Sequence, residues 1–408
     1  MEEAQHLPDG WKITTIGTHY SFKNGLNKAK KFFGHGTPIV NYMDVFQHQR
    51  LRVEHIQGSV EVTSEEVRNY SAQNGDAFFT RTSETVSEIG MASVLLDEVS
   101  DAVFSGFVLR GRPKNTDLIP EFAAYALRSK GVRDQIEALA TYTTRALTNG
   151  GSLSKSVFPI PVEPSEQRAI ASALSDIDDL LASLHALIAK KEAVKQGAMQ
   201  ELLSGKRRLA GHSASLMTKK LSEMADLDPE SLPSSTPPDW PFRYISLENA
   251  TQGRLSGYTD QTFATAPSRA RRKVRSHDVL FGTVRPNLKS HCIVEEDRND
   301  WVASTGFCVL RAKEKKADPQ FLYFAVMGNL VARQIAKIIA GSNYPAVSSK
   351  DVGSVVILAP SLDEQREIAA ALNNAQKEIS ALRVKADKLT DIREAMTQQL
   401  LAGRIRLV

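Results

Sequence analysis

Two stretches of the chain carry the residue types that neutralise phosphate. Arg269, Arg271, Arg272, Lys273 and Arg275 form a basic run, and Lys23, Lys28, Lys30 and Lys31 form a looser one with Phe22, Phe32 and Phe33 interleaved. Clustered cations displace counterions from a nucleic-acid backbone, which gives affinity without choice of sequence. Choice requires side chains that reach base edges: arginine to guanine, asparagine or glutamine to adenine, serine or threonine to either. Such residues follow apolar segments at Thr80-Arg81-Thr82-Ser83, Thr143-Thr144-Arg145, Arg285-Pro286-Asn287 and Gly341-Ser342-Asn343-Tyr344. A turn or a solvated surface has the same composition. What favours recognition is that these segments occupy corresponding places in two halves of the chain.

Bond-making chemistry is poorly provided for. No Gly-x4-Gly-Lys-Ser/Thr phosphate loop occurs, and Ser204-Gly205-Lys206-Arg207 lacks the upstream glycine. The Gly-x-Ser-x-Gly elbow is missing, as is the Asn/Asp-Pro-Pro-Tyr/Phe tetrapeptide of methyl transfer. Glu314-Lys315-Lys316 imitates the end of a nuclease box but lies in a charged stretch that reads as a solvated loop. The nine histidines show no metal-ligand spacing, and Cys292 and Cys308 are the only cysteines. No catalytic residue, metal ligand or cofactor site is therefore assigned. With 51 basic against 47 acidic residues, the net charge of +4 is mild, so a nucleic-acid footprint must be local. The N-terminus has no apolar signal core and no run is long enough to span a bilayer. Together with the scarce cysteines, that gives the expectation of a cytoplasmic protein without a membrane partner.

The elements that position these segments are announced by a repeat. Glu166-Gln167-Arg168 returns as Glu364-Gln365-Arg366, Leu202-Leu203-Ser204-Gly205 as Leu400-Leu401-Ala402-Gly403, and Arg208-Leu209 as Arg406-Leu407. All three share one offset (364 − 166 = 198), and 15 of the 47 positions from Glu163 to Leu209 match without a gap. Chance would give roughly 3. Weaker echoes pair Gly106–Arg110 with Gly306–Arg311, Gly75–Arg81 with Ser276–Gly282, and Gly10–Ile13 with Pro241–Tyr244.

Each repeated segment predicts a long helix. Apolar residues recur at steps of four and three: Ile170, Leu174, Ile177, Leu181, Leu184, Ile188 and Leu202 in the first copy. The second copy has Ile368, Leu372, Ile379, Leu382, Leu389, Met396 and Leu400. That is the seam of a coiled coil, and the two seams share a register. Lys191 and Lys195 fall on the first seam and should weaken it locally. Ser165 and Asp363 are the expected caps, Gly205 and Gly403 the expected stops. Roughly 40 residues at 1.5 Å each give about 60 Å of helix, and the natural partner of each helix is its own repeat, packed antiparallel.

The fold class expected is α+β: two mixed recognition domains separated by two long helices in an antiparallel coiled coil, related by a pseudo-twofold repeat. The domains read as 1–162 and 240–360, the helical segments as 163–209 and 361–408, and the Ser-, Pro- and Thr-rich stretch 210–239 as a linker. Short strands are expected at Asp76–Thr80, Ala92–Leu96, Gly106–Leu109, Asp278–Gly282, His291–Val294 and Phe307–Leu310. Helices are expected at Pro120–Ser129, Val132–Leu139 and Pro319–Ile339.

With these motifs in place, the whole chain resembles the specificity subunits of type I restriction-modification enzymes. The paired Glu-Gln-Arg-x-Ile-Ala helices (Glu166–Ala171, Glu364–Ala369), each closed by Leu-Leu-x-Gly, carry the resemblance most specifically. It implies a non-catalytic subunit that recognises a bipartite double-stranded DNA sequence, one half per domain. It also implies docking of two methylation subunits, which hold S-adenosylmethionine, and of restriction subunits, which use ATP and Mg²⁺. The candidate DNA contacts are Lys28, Lys30, Lys31, Thr80, Arg81, Thr82, Ser83, Arg145, Arg269, Arg271, Arg272, Lys273, Arg285, Asn287, Ser342, Asn343 and Tyr344. A duplicated nuclease or methyltransferase, or a coiled-coil adaptor that never touches DNA, is the competing reading.

Overall fold

The computed structural model describes residues 7–142, 144–251, 253–296, 299–340 and 345–407. The chain divides into two units, one of Met1–His185 with Lys385–Val408 and one of Ala186–Val384. Both boundaries fall inside long helices, Pro164–Leu203 and Leu362–Leu401, each of 40 residues. Each unit therefore owns half of each helix.

In the first unit, Trp11–Thr15 pairs antiparallel with Val157–Pro161, and this pair delivers the chain into the first long helix. The main sheet has five strands: Tyr20–Asn24, Val108–Pro113, Ala77–Thr80, Ala92–Leu95 and Arg50–Leu51, in that order across it. Ala77–Thr80 and Ala92–Leu95 are buried throughout, because Phe78 and Leu95 pack with Val40, Val45 and Phe104 while Phe79 and Val94 pack with Phe122, Tyr125 and Ile136 of helices Pro120–Ala126 and Lys130–Ala138. The larger core joins Phe79, Phe122, Tyr125 and Ile136 to Ile170, Leu174 and Leu400.

The second unit repeats the plan. Met217–Lys220 pairs antiparallel with Val356–Ala359 just before the second long helix. Its central sheet runs Ala225–Leu227, Phe307–Ala312, Val279–Gly282, His291–Ile293, and a second four-stranded sheet is built around Pro241–Ile245 and Trp301–Ser304. One detail shows how closely the copies agree. Arg112 grips Asp76 with Nε and a terminal nitrogen at 2.9 and 2.7 Å, and Arg311 grips Asp278 in the same two bonds at the same distances.

Three expectations are corrected here. The stretch 210–239 is not all linker: Met217–Leu227 already supplies two strands and a short helix of the second domain. Its Ser and Pro content describes the loop beyond, around Pro233–Pro238. The counterpart of Trp11–Thr15 is consequently Met217–Lys220, and the echo with Pro241–Tyr244 is accidental. The predicted helix Pro319–Ile339 is two helices, Pro319–Met327 and Asn329–Ile338, separated at Gly328, whose extended backbone cannot continue a helix.

Within each unit the helix halves pack antiparallel. In the first, Asp178 meets Arg393 and Glu166 meets Arg406. In the second, Lys191 meets Glu378, Lys195 donates to Gln376, and Glu192 meets Arg383. Ile170, Leu174, Ile177, Leu181, Leu184, Ile188, Leu202, Ile368, Leu372, Ile379 and Leu400 are buried. Leu382, Leu389 and Met396 are half-buried. Lys191 and Lys195 do sit at the helix contact, where a carboxylate and an amide carbonyl compensate them. The stops are as expected: Gly205 and Gly403 take left-handed backbone at φ +70° and +67°. The starts are not. Pro164 and Leu362 are already helical, so Ser165 and Asp363 lie inside the first turn instead of capping it.

The Glu-Gln pairs have a different task from capping. Gln167 Nε2 donates to the carbonyls of Asp117 and Pro161 at 2.7 and 3.0 Å, and its Oε1 accepts the Ile119 N–H at 3.0 Å. Gln365 does the same with the Lys316 and Pro360 carbonyls and the Asp318 N–H. Each buried amide thereby fastens its domain to the start of its helix. Glu166 accepts from Trp11 and Arg406, and Glu364 from Arg208, so the carboxylate of one repeat receives the tail arginine of the other. Arg208 holds the Glu364 carboxyl below the usual carboxylate range.

Candidate nucleic-acid interface

Strand register decides which candidates can meet. In the first unit Val108 pairs with Thr80 and Leu109 with Asn24, so the loops after Asn24, after Thr80 and before Val108 lie at one end of the sheet. The hairpin Thr141–Leu147 joins that end, because its second strand pairs with Thr82–Ser83. Arg81 links three of the segments: its N–H donates to Phe107 at 3.2 Å and its carbonyl accepts from Thr148 at 3.1 Å.

The second unit builds the same edge. Thr283 N–H donates to Gly306 at 2.8 Å, and the Thr283 carbonyl accepts from Val347 at 2.9 Å. Arg285 follows, its N–H bonded to the Pro345 carbonyl at 2.8 Å. Arg285 and Lys289 both hold left-handed backbone, φ +48° and +53°, on either side of the short turn Pro286–Leu288. Non-glycine residues in that region are strained by about 1–3 kcal/mol each and concentrate at sites of recognition. Beneath this loop, His291 is buried against the Phe281 ring and accepts the Gly282 N–H. Burial pushes its imidazole down to about 3, so it is neutral and acts as a structural acceptor.

Not every basic or polar candidate reaches these edges. Arg81 and Thr82 are half-exposed, and Lys30, Lys31 and Arg145 are exposed, at the edge of the first unit. Arg269, Arg285 and Asn287 are exposed on the second, where the Arg269 carbonyl accepts from Thr305 next to Gly306. Ser342, Asn343 and Tyr344, with Gly341 and Thr143, lie outside the described residues. Others are corrected. Lys28 is anchored to the Glu61 carbonyl and to Glu66 at 2.7 and 2.8 Å. Thr80 is fully buried, its hydroxyl tying Glu88 to Met91, and Ser83 is spent on Glu88. Most of the basic run is internally neutralised: Arg272 pairs with Asp228, while Lys273 and Arg275 share Glu230 with Arg311. Arg271 lies over the Phe263 ring. The run is strand Ala270–Val274, and a cation count along it could not reveal carboxylates some 40 residues away in sequence.

Sequence reasoning also missed residues. Phe107 and Tyr142 are large aromatics, 64% and 60% exposed, standing beside Arg81 and Arg145. Leu288 is 61% exposed next to Asn287. Phe107 falls within the expected strand Gly106–Leu109, because an apolar run continues from it; only register shows that it precedes the first paired residue, Val108. Exposed aromatics beside cations suit contact with bases and sugars. Among the described residues no group of three or more His, Cys, Asp or Glu side chains is placed to hold a metal ion. Among them, too, no helix is long and apolar enough to cross a membrane.

Comparison with known proteins shows what this arrangement is similar to. The type I restriction modification DNA specificity domain model matches residues 274–389, from the end of strand Ala270–Val274 into the second long helix. Two specificity subunits of Methanocaldococcus jannaschii type I restriction enzymes, MjaX and MjaVIII, are each 20% identical to the chain. They align over 99% and 98% of it, and over 96% and 94% of their own lengths. The crystal structure of the type I restriction-modification S subunit from M. genitalium superposes with a TM-score of 0.60 at 16% identity, over 98% of both chains. Along nearly its whole length the chain is similar to type I restriction-modification specificity subunits. The superposition shows that its fold is similar to that of the M. genitalium S subunit.

Proposed function

We propose that the chain reads a bipartite double-stranded DNA sequence, each domain taking one half through the sheet edge described above. The observation that carries this reading is the repetition of one edge in two chemistries. The same backbone bonds present Arg81, Phe107, Tyr142 and Arg145 in one unit and Arg269, Arg285, Asn287 and Leu288 in the other. A duplicated scaffold with different reading side chains suits two different half-sites. As a specificity subunit the chain performs no reaction itself; methylation with S-adenosylmethionine and ATP- and Mg²⁺-dependent restriction are the work of partner subunits.

The long helices serve two further roles in this proposal. They fix the number of unread base pairs between the half-sites, and they dock two methylation subunits, with restriction subunits joining that assembly. For docking, Asp178, Asp179 and Lys191 are unavailable, being paired with Arg393, Arg50 and Glu378. Leu180, Leu187 and Val194 are the better candidates: they recur every seventh position on the first helix and are exposed.

Methylome mapping in cells with and without the gene tests the reading. A split motif that loses its methylation with the gene is the expected result, and an unchanged methylome refutes it. Gel shifts of the purified chain at graded salt separate the adaptor alternative, since binding through phosphates weakens steeply as salt rises.

A further inference from the structure

The offset of 198 allows the two units to be compared position by position, and at one place they differ in charge. In the first unit Asp178 and Asp179 face the domain. Asp178 is bonded by Tyr125 at 2.9 Å and Arg393 at 2.5 Å, and Arg50 reaches across to Ser175 and to Asp179 at 2.6 Å. The domain is thus riveted to the first long helix by the Arg50–Asp179 ion pair and the Tyr125–Asp178 hydrogen bond, and Arg393 holds Asp178 from the second. At the matching places of the second unit stand Gln376 and Lys377. Tyr323, the counterpart of Tyr125, turns instead to the Gly253 carbonyl, and Lys195, the counterpart of Arg393, finds only the amide of Gln376.

The rivet is replaced by a cavity of about 900 Å³. Lys195, Arg254, Lys289 and Lys377 line it, and none has a carboxylate partner among the described residues. Arg383 also lines it and is paired with Glu192. Glu295 and Glu296 occupy part of the wall. The rest is part polar, with Gln196, Asn373 and Ser380, and part apolar or aromatic, including Tyr323, Phe324 and Met327. Gln320 lines the cavity as well, and its Oε1 is buried without a hydrogen-bond partner among the described residues. Burial, with Arg254 and Arg383 nearby, holds the Lys195 ammonium below its ordinary value. This is a site short of negative charge, with an unmet acceptor and an aromatic wall.

We propose that the cavity binds a mononucleotide-sized phosphate ester. Its phosphate answers Lys195, Arg254 and Lys377, its ring lies against Tyr323 and Phe324, and an amino N–H of the base reaches Gln320 Oε1. The volume suits such a ligand, since small-molecule sites run from about 300 to 1,000 Å³, and guanidinium and ammonium groups are the usual phosphate donors. The bound anion would bridge the second domain to both helix segments of its unit, whereas Arg50 ties the first domain to the first long helix alone. This inference does not depend on which DNA sequence the sheet edges read.

Isothermal titration of the full-length chain with ADP, AMP and sodium pyrophosphate tests it. Saturable binding of one ADP per chain with Kd below about 1 mM is expected. Affinity should fall at least about tenfold in Lys377→Glu, which alters an exposed side chain, and in the double variant Lys195→Met, Arg254→Met. Gln376→Asp with Lys377→Asp, which restores the acids of the first unit, should abolish binding while circular dichroism shows the fold retained. Absence of saturable binding by all three probes overturns the proposal, as does undiminished ADP affinity in Lys377→Glu. A single-stranded oligonucleotide that binds through these cations when ADP does not would assign them to a DNA strand and equally overturn it.

Discussion

The helix starts and the sheet edges were duplicated together, yet they diverged to opposite extents. At the starts, Gln167 and Gln365 make the same three bonds, and Glu166 and Glu364 each take the tail arginine of the other repeat. At the edges the backbone bonds persist and the side chains do not. Burial accounts for the contrast. A buried amide or carboxylate without its partners costs the full desolvation of each orphaned group, so few substitutions survive there. An exposed side chain at the sheet edge has water as its alternative partner and is free to change with the DNA it meets.

The strongest way to break that contrast is at the amides. Gln365→Leu orphans two carbonyls and one N–H, and should destabilise its unit by about 3 kcal/mol or more in denaturant unfolding. Gln167→Leu should do the same to the first unit. If one variant is neutral, the helix starts are not equivalent. Next in size, Arg208→Ala leaves Glu364 buried and uncompensated and should lower the denaturation midpoint of its unit, less than either amide change does because Arg208 itself is partly exposed. Glu364→Gln combined with it should recover part of that loss, and no recovery would mean the arginine acts through packing alone.

At the edges the expected readout is specificity. Arg285→Ala should relax discrimination in one half-site by about 1–3 kcal/mol per affected base pair, and Arg81→Ala with Arg145→Ala should act on the other half-site only. Binding measured against a randomised duplex library distinguishes the two, and loss in both half-sites from either change would refute one reader per domain. Acidification probes the support beneath Arg285. The unfolded chain protonates His291 near 6.5, whereas the folded chain resists until about 3, so the unfolded state binds the extra proton in between. Stability of the second unit should therefore fall as pH drops below 6.5, by about 1.4 kcal/mol per unit of pH from this group. His291→Gln, which keeps an acceptor but cannot titrate, should flatten that slope. Smallest of all, Arg272→Ala should cost stability of about 1 kcal/mol through its lost pair with Asp228, and leave the salt dependence of DNA binding unchanged. A shallower salt slope would return Arg272 to the DNA surface.

Legibility followed the same division. The 40-residue helices, their glycine stops and their seam were readable because periodicity and a 198-residue offset are local properties of the chain. The sheet edges were half readable. Arg81, Arg145, Arg285 and Asn287 stand out by their place after apolar segments and Arg269 by its basic run, and all five are exposed or half-exposed in the structure. Thr80 and Ser83 stand out by the same place, and Lys28 and Arg272 by their basic runs, yet all four are spent inside the fold. Their partners Glu88, Glu66 and Asp228 reach them only through strand pairing and loop closure, which composition does not encode.

By itself, the sequence determined that the protein is a duplication, that each copy ends in a long amphipathic helix, and that basic and polar segments recur at matching places. These follow from residue spacing, because helix periodicity and backbone turns are set by neighbours along the chain. Only the tertiary structure decided what the Glu-Gln signature is for, where the second domain begins, and which cations stay uncompensated. Such questions depend on which groups are taken out of water together, and desolvation is a property of packing between distant segments.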